Sequence, residues 1–178
     1  MDILNDKAFY DDEGEYGKYV LNKLILPMPQ GSPESIKNYE RYAKRILWMD
    51  GNTTPGAFQL NASWYHSPNM YLINEADDTS VAFFKPHIHD ADEIVAFFSS
   101  DPQDQNNLGG EIIFYIGGEK HVITKSTLIF LPAGLEHGPL FLQKVDRPIF
   151  HFSCVTTSTY EFEKNEEAKE EKKQPKGD

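Results

Sequence analysis

The sequence predicts an all-β sandwich or barrel with one helix ahead of it. From residue 57 to about 155, short apolar or alternating runs follow one another, broken by turn residues. That texture marks antiparallel strands rather than helices. Ahead of it, residues 32–48 place apolar side chains at three- and four-residue steps, the helical period. The 178 residues (20.4 kDa) suffice for one domain and its core but not for two ordinary ones.

Three regions follow: an N-terminal extension over 1–56 with one helix packing on the barrel, a β-domain over 57–158, and a charged tail over 159–178. Residues 1–15 hold four Asp, two Glu and one Lys, the wrong start for a secretion signal, which needs a basic stretch before an apolar one. Residues 19–26 read either as a strand or as a helical turn, and Tyr19-Val20-Leu21 and Leu24-Ile25-Leu26 are apolar enough to seek cover on the barrel or a second subunit. The helix is expected over about 33–47. Ser32 is placed to cap it, Pro33 suits its first turn, and Ile36, Tyr39, Ala43 and Ile46 form its apolar stripe.

Strands are expected near 57–66, 70–73, 80–89, 93–99, 111–116, 120–124, 127–131, 137–143 and 148–156. Gly117-Gly118 makes a tight hairpin turn, and residues 99–110 form a long polar loop. Val95, Phe97, Ile113, Ile129 and Phe150 or Phe152 are the expected core. Cys154, in an apolar run, reads as a small buried hydrophobe. The tail from 161 to 178 sets seven acids against five lysines with almost nothing apolar, which describes a solvated, partly disordered segment.

Composition narrows the partners. Lys and Arg number 17 against 28 Asp and Glu, a net charge of −11. Such a surface repels nucleic-acid phosphates and anionic membranes, so neither is an expected partner. No apolar run has the length of a spanning helix. A single cysteine cannot form an internal disulfide, and with the acidic N-terminus this predicts a cytoplasmic protein.

The chemistry concentrates in two short stretches. In Pro86-His87-Ile88-His89-Asp90-Ala91-Asp92-Glu93, His87 and His89 project to one face of a strand, and Glu93 shares their parity. In Pro132-Ala133-Gly134-Leu135-Glu136-His137, a Pro/Gly turn delivers His137 to the start of the next strand. Three imidazoles and one carboxylate make a metal-ligand set with no thiolate, suited to Fe, Mn, Ni, Co or Zn.

The pattern formed by His87, His89 and Glu93, followed by that of Pro132, Gly134 and His137, resembles the two motifs of the cupin superfamily over about residues 57–155. The resemblance implies a small antiparallel jelly-roll β-barrel, with these four side chains holding one divalent metal and leaving positions open for water or substrate. It also implies a homodimer. Two scaffold positions depart from the usual pattern: Ser126 stands where a glycine is usual, and Phe141 where an asparagine is frequent.

The same four ligands serve Lewis-acid, water-activating or oxygen-activating chemistry. The leading expectation is therefore an enzyme of dioxygenase, isomerase or lyase type acting on a small polar molecule. The alternatives are a non-catalytic cupin that binds a metal or small ligand, and an interaction scaffold without metal. Four further residues are catalytic candidates, each with a plainer reading. Lys85 shares parity with the histidines, or reaches solvent. His66 lines the barrel mouth, or is capped at the surface. His151 is an acid/base group, or a satisfied core histidine. Tyr115 offers a phenol, or only packs. Asp90, Asp92 and Glu136 either orient the imidazoles or solubilise loops, and His121 belongs to the surface.

Overall fold

The computed structural model describes residues 14–23, 33–69 and 85–158. Strand 70–73, residues 80–84 of the strand expected over 80–89, Leu24-Ile25-Leu26, the Ser32 cap and the tail lie outside the described residues. A short 3-10 turn, Gly17–Tyr19, precedes helix α1 (Pro33–Glu40). Eight strands follow: β1 (Ala43–Met49), β2 (Gln59–Tyr65), β3 (Glu93–Ser99), β4 (Asn107–Ile116), β5 (Glu119–Lys125), β6 (Thr127–Leu131), β7 (His137–Val145) and β8 (Ile149–Val155).

The strands form two antiparallel sheets, ordered β1-β2-β8-β3-β6 and β5-β4-β7. A bridge from His87 to His137 adds one more rung at the free side of β7. Between the layers, Tyr65, Val95, Phe97, Leu131 and Ile149 of the large sheet meet Ile112, Phe114, Ile123 and Leu142 of the small one. The last strand lies between β2 and β3, in jelly-roll order. The expected closed barrel is a sandwich here. Among the described residues no ladder joins the two sheets, and packed side chains hold them together.

The helix is shorter than its periodicity predicts. It stops at Glu40, and a turn (Tyr42 N to Tyr39 O, 3.1 Å) leads into β1. Residues 43–47, expected to continue the helix, are strand. Ala43 and Arg45 are buried while Lys44 between them is exposed, a period of two. The apolar spacing of Tyr39, Ala43 and Ile46 fits either period locally. The pairing of β1 along β2, with a bulge between Arg45 and Leu47, decides the outcome. The β-domain thus starts inside what the sequence marks as the extension.

β4 is also longer than expected. It begins at Asn107, and Leu108, assigned to the polar loop, is fully buried. Gly117 and Gly118, at φ 55° and 79°, make the turn that joins β4 to β5; left-handed φ at both positions is what a tight hairpin asks for. Ser126 earns its place without glycine: its Oγ accepts from Ser99 N (3.0 Å) and donates to Gln105 O (2.5 Å), tying the end of β3 to the loop. Phe141 packs edge-on against Tyr115.

The main correction concerns the two central strands. On β2, the inward positions are Gln59, Asn61, Ser63 and Tyr65, all buried, while Leu60, Ala62 and Trp64 face outward. On β8, His151 and Ser153 point inward with Ile149 and Val155, and Phe150, Phe152 and Cys154 point outward. The expected core residues Phe150 and Phe152 therefore lie on the outer face, where Phe150 stacks on Phe98 and Phe152 packs against it at a tilt. Cys154 shares that face and is only half-buried. Val95 and Phe97 are core, and Ile129 packs partly buried against it. Ile113 is buried, but alternation puts it on the opposite face of β4 from Ile112 and Phe114. This polarity reversal lines the interior with polar groups.

Candidate metal centre

The two histidine stretches are joined through their backbones. His87 N donates to His137 O (2.9 Å) and His137 N donates to His87 O (3.0 Å). Gly134 N donates to His89 O (2.8 Å), so the Pro/Gly turn docks directly on the first stretch. Asp92 fastens the corner. Its Oδ1 accepts from Ala133 N (2.9 Å), and its carbonyl accepts from Thr156 N (3.0 Å) at the end of β8.

These contacts bring three imidazoles together. One ring nitrogen from each of His87, His89 and His137 lies within 4.8 Å of the others. Glu93, at the first position of β3, points at the same spot, its Oε2 3.1 Å from His137 Nε2 and 3.4 Å from His89 Nε2. All four side chains are buried.

The ring tautomers follow from the outer nitrogens. His87 Nδ1 donates to Lys85 O and His137 Nδ1 donates to Leu135 O, both at 2.9 Å. A carbonyl only accepts, so the proton sits on Nδ1 and the Nε2 lone pair turns to the centre. The acceptors are backbone carbonyls. Asp90 is exposed, and Asp92 serves the backbone of the turn instead. Gly138 makes room for this arrangement. Its φ is +89°, and a Cβ there would meet Lys85 O at 2.8 Å and His87 Nδ1 at 3.4 Å.

Burial pushes the His87 imidazole down to about 4, so its lone pair is available at neutral pH. Burial works to raise the Glu93 carboxyl, but the rings of His137 and His89 outweigh it and hold the group at about 2. Glu93 is thus the fixed anion of the site. His137 Nε2 and Glu93 Oε2 are both buried, and neither has a hydrogen-bond partner. Two acceptors at 3.1 Å are reconciled by a positive charge shared between them, a proton on the imidazole or a metal ion, and the convergence of His87 and His89 on the same point favours the metal. The donor set of nitrogen and carboxylate oxygen fits a first-row divalent ion.

A cavity of about 50 Å³ opens from this point into the sandwich, lined by His87, Glu93 and His137 at one end and by Tyr39, Tyr65, Asn69, His151 and Ser153 further in. Of the four catalytic candidates, His151 is the one on this lining. Its Nδ1 donates to Ala96 O (3.0 Å), Tyr65 stacks on the ring at 4.7 Å, and burial pushes the imidazole down to about 4. Lys85 is exposed and contributes its carbonyl. Tyr115 packs on Phe141, outside the lining. His66, with Nδ1 3.1 Å from Ser67 Oγ, is also outside it. His121 is exposed.

Asn69 was not singled out by sequence. Its backbone N donates to Leu142 O (3.1 Å), and its Oδ1 accepts from Leu142 N (2.8 Å). The available signal was the polar alternation Gln59, Asn61, Ser63 on a strand between apolar residues, which marks a polar interior.

No family model matches the chain, and no curated protein does. Solved structures do. A conserved protein with a double-stranded β-helix domain from Klebsiella pneumoniae is 11% identical, with 86% of this chain and 96% of that one covered and a TM-score of 0.47. A cupin-2 domain protein from Rhodospirillum rubrum is 11% identical, with 65% and 61% covered and a TM-score of 0.38. An oxalate oxidase in complex with the substrate analogue glycolate is 15% identical, with 84% and 65% covered and a TM-score of 0.47. The chain spans less than two thirds of the length of the last two.

Proposed function

We propose that the chain is a metal-dependent cupin. On this reading it is an enzyme of dioxygenase, isomerase or lyase type that acts on a small polar molecule at a three-His, one-Glu centre. The observation that carries it is the pair of buried, facing lone pairs on His137 Nε2 and Glu93 Oε2, with two more imidazoles converging on the same point. His87, His89, Glu93 and His137 would hold one divalent ion (Fe, Mn, Ni, Co or Zn). When bound, that ion supplies Lewis-acid polarisation of a ligand oxygen or acidification of water.

The chain's own residues do the rest. The Lys85 and Leu135 carbonyls keep the His87 and His137 rings aimed. The apolar contacts of Tyr65 and Phe97 hold the His151 ring in plane, which makes His151 the candidate to take a proton from a ligand in the cavity. Lys85, Tyr115 and His66 have no such position.

A homodimer is part of the proposal. The outward positions of β2, β8, β3 and β6 carry Leu60, Ala62, Trp64, Phe150, Phe152, Cys154, Ile94, Ala96, Phe98, Leu128 and Phe130, without one charge. In a chain of net charge −11, such a face suits a second copy, with like charges kept at the rim. The acidic surface supports a small-molecule partner over nucleic acid or membrane, and no described helix is long and apolar enough to cross a membrane. The lone thiol supports the cytoplasm.

The test is metal content after exchange with Mn, Fe, Ni, Co and Zn in turn, on protein without a histidine tag. One ion per chain is expected, abolished by His137→Ala. Failure of every metal to reach that stoichiometry would sink the proposal. A bound ion with no exchangeable solvent position would move it from enzyme to binding protein.

A further inference from the structure

The inward polar side chains of α1, β1 and β2 form one directed network. Arg45 Nε–H donates to Asn61 Oδ1 (2.8 Å), and the Ser63 hydroxyl donates to the same oxygen (3.2 Å). With the Ser63 proton spent there, the Tyr39 hydroxyl donates to Ser63 Oγ (2.5 Å). Every proton in the chain runs toward Asn61 Oδ1, so the Asn61 amide nitrogen is turned the other way. Asn61 is buried and lines the cavity. Ser153 stands directly opposite it on β8 and lines the same cavity. Facing residues on one rung of an antiparallel pair hold their Cβ atoms about 5 Å apart. The Asn61 NH₂ and the Ser153 hydroxyl therefore open onto one patch of wall, and neither has a hydrogen-bond partner among the described residues.

The charge behind this patch is positive and unmet. Arg45 is 7% exposed, and among the described residues no carboxylate contacts it. Its guanidinium stands 5.3 Å over the Tyr39 ring and 4.9 Å over the Trp48 ring, and Nη2 is buried without a partner. Ring faces meet part of a cation's need, whereas a buried charge is ordinarily paired with an anion. Glu93, the one carboxylate of the described lining, is engaged with His89 and His137. Arg45 shares a rung with Ser63, and Ser63 with His151, so the guanidinium lies on the cavity's own level of the sheet. Two hydrogen-bond donors with a cation behind them recognise an oxygen anion. A neutral carbonyl would satisfy the donors and leave the charge unmet.

We propose that Asn61 Nδ2 and Ser153 Oγ form an oxyanion subsite, with Arg45 as the counter-charge behind it, and that the cavity's ligand places a small anionic oxygen group there rather than at the histidine cluster. Val95, opposite Ser153, lies two residues along β3 from Glu93, about 7 Å, so the two ends are a short ligand apart. The subsite narrows the ligand class of the proposed enzyme but rests on the cavity wall and not on the ion.

Formate and formamide are nearly the same size and shape and differ by one charge. Each is titrated at pH 7 and constant ionic strength into ¹⁵N-labelled protein, metal-free and zinc-loaded, and the side-chain NH₂ resonances of Asn61 are followed. Formate should shift them in both forms and bind about tenfold more tightly than formamide, the difference between a charge-assisted and a neutral hydrogen bond. Asn61→Asp keeps the acceptor for Arg45 and Ser63, loses the donor and gives Arg45 a carboxylate; it should abolish the formate preference with zinc uptake unchanged. Arg45→Met should bring the two probes to parity. The wild-type comparison decides even where a variant does not fold. Equal affinities for formate and formamide overturn the subsite, as does a formate response confined to the imidazole resonances of His87, His89 and His137. Protein that takes up no zinc or other metal overturns the centre, while the metal-free titration still decides the subsite.

Discussion

Two of the imidazoles are held by one local device, a ring Nδ1–H given to the carbonyl two residues back, Lys85 for His87 and Leu135 for His137. The histidines and Glu93 were legible because strand parity and the Pro/Gly turn are written in side-chain spacing. Their orienting groups were not, because main-chain carbonyls carry no residue code. Spacing suggests the nearby acids Asp90, Asp92 and Glu136 for that role, whereas Asp92 clamps the turn backbone. His151 was legible as a residue but not as a direction, since alternation with Phe150 and Phe152 allows either face. Its position has a consequence in acid. Burial lowers its imidazole from 6.5 to about 4, so the unfolded chain binds a proton that the folded one refuses. Stability from this group is fully present above pH 6.5 and is lost as pH falls toward 4, by up to about 3 kcal/mol. His87 pulls in the same sense when no metal is bound. Urea midpoints of metal-free protein should therefore fall between pH 7 and pH 4, and His151→Phe should flatten that slope.

At the scale of elements, β3 and β6 were legible to the residue, and the hairpin at Gly117-Gly118 with them. α1 was overextended. The run from Ala43 to Met49 satisfies a helical stripe locally, and only the partner strand β2, distant in sequence, makes it a strand. The inversion of β2 and β8 was hidden for a related reason. Apolar residues are presumed inward, whereas here the interior needs polar lining and the outer face takes the phenylalanines. This separates the effects of two truncations on one strand. Ile149→Ala, at a fully buried position, should cost about 2–5 kcal/mol. Phe152→Ala, on the outer face, should cost the monomer clearly less, roughly 1 kcal/mol, the centre of the usual range for point changes. Urea unfolding at low protein concentration measures both, and a Phe152 cost equal to that of Ile149 would show that the face is covered within the monomer.

For the whole molecule, the jelly-roll character and the two opposed sheets were legible through the motif resemblance and the strand count, but the lack of closure was not, because closure depends on ladders at the edges. The outer face predicts the assembly. Phe130 at 62% and Leu128 at 64% are exposed on the edge strand β6, and Trp64 at 37% lies on the same face of β2, with β8 and β3 between them; apolar surface of this extent marks contact sites. Light scattering should give a mass near twice the 20.4 kDa chain. The double substitution Trp64→Glu and Phe130→Glu should return it to the single-chain value with metal content unchanged. A single-chain mass for the wild type would count against pairing. The inversion also shapes how the chain reaches its native form. Sliding β8 by one residue would bury Phe150, Phe152 and Cys154 and expel His151 and Ser153. On hydrophobic grounds alone that mispaired sheet competes with the native one. Three backbone links oppose it: Thr156 N to Asp92 O (3.0 Å), Gln59 N to Thr157 O (2.8 Å) and Gly51 N to Ser158 O (2.7 Å). Local hydrophobic preference and native register therefore conflict at the strand that carries His151, and the polar lining of the cavity depends on these links to hold the end of β8 in register.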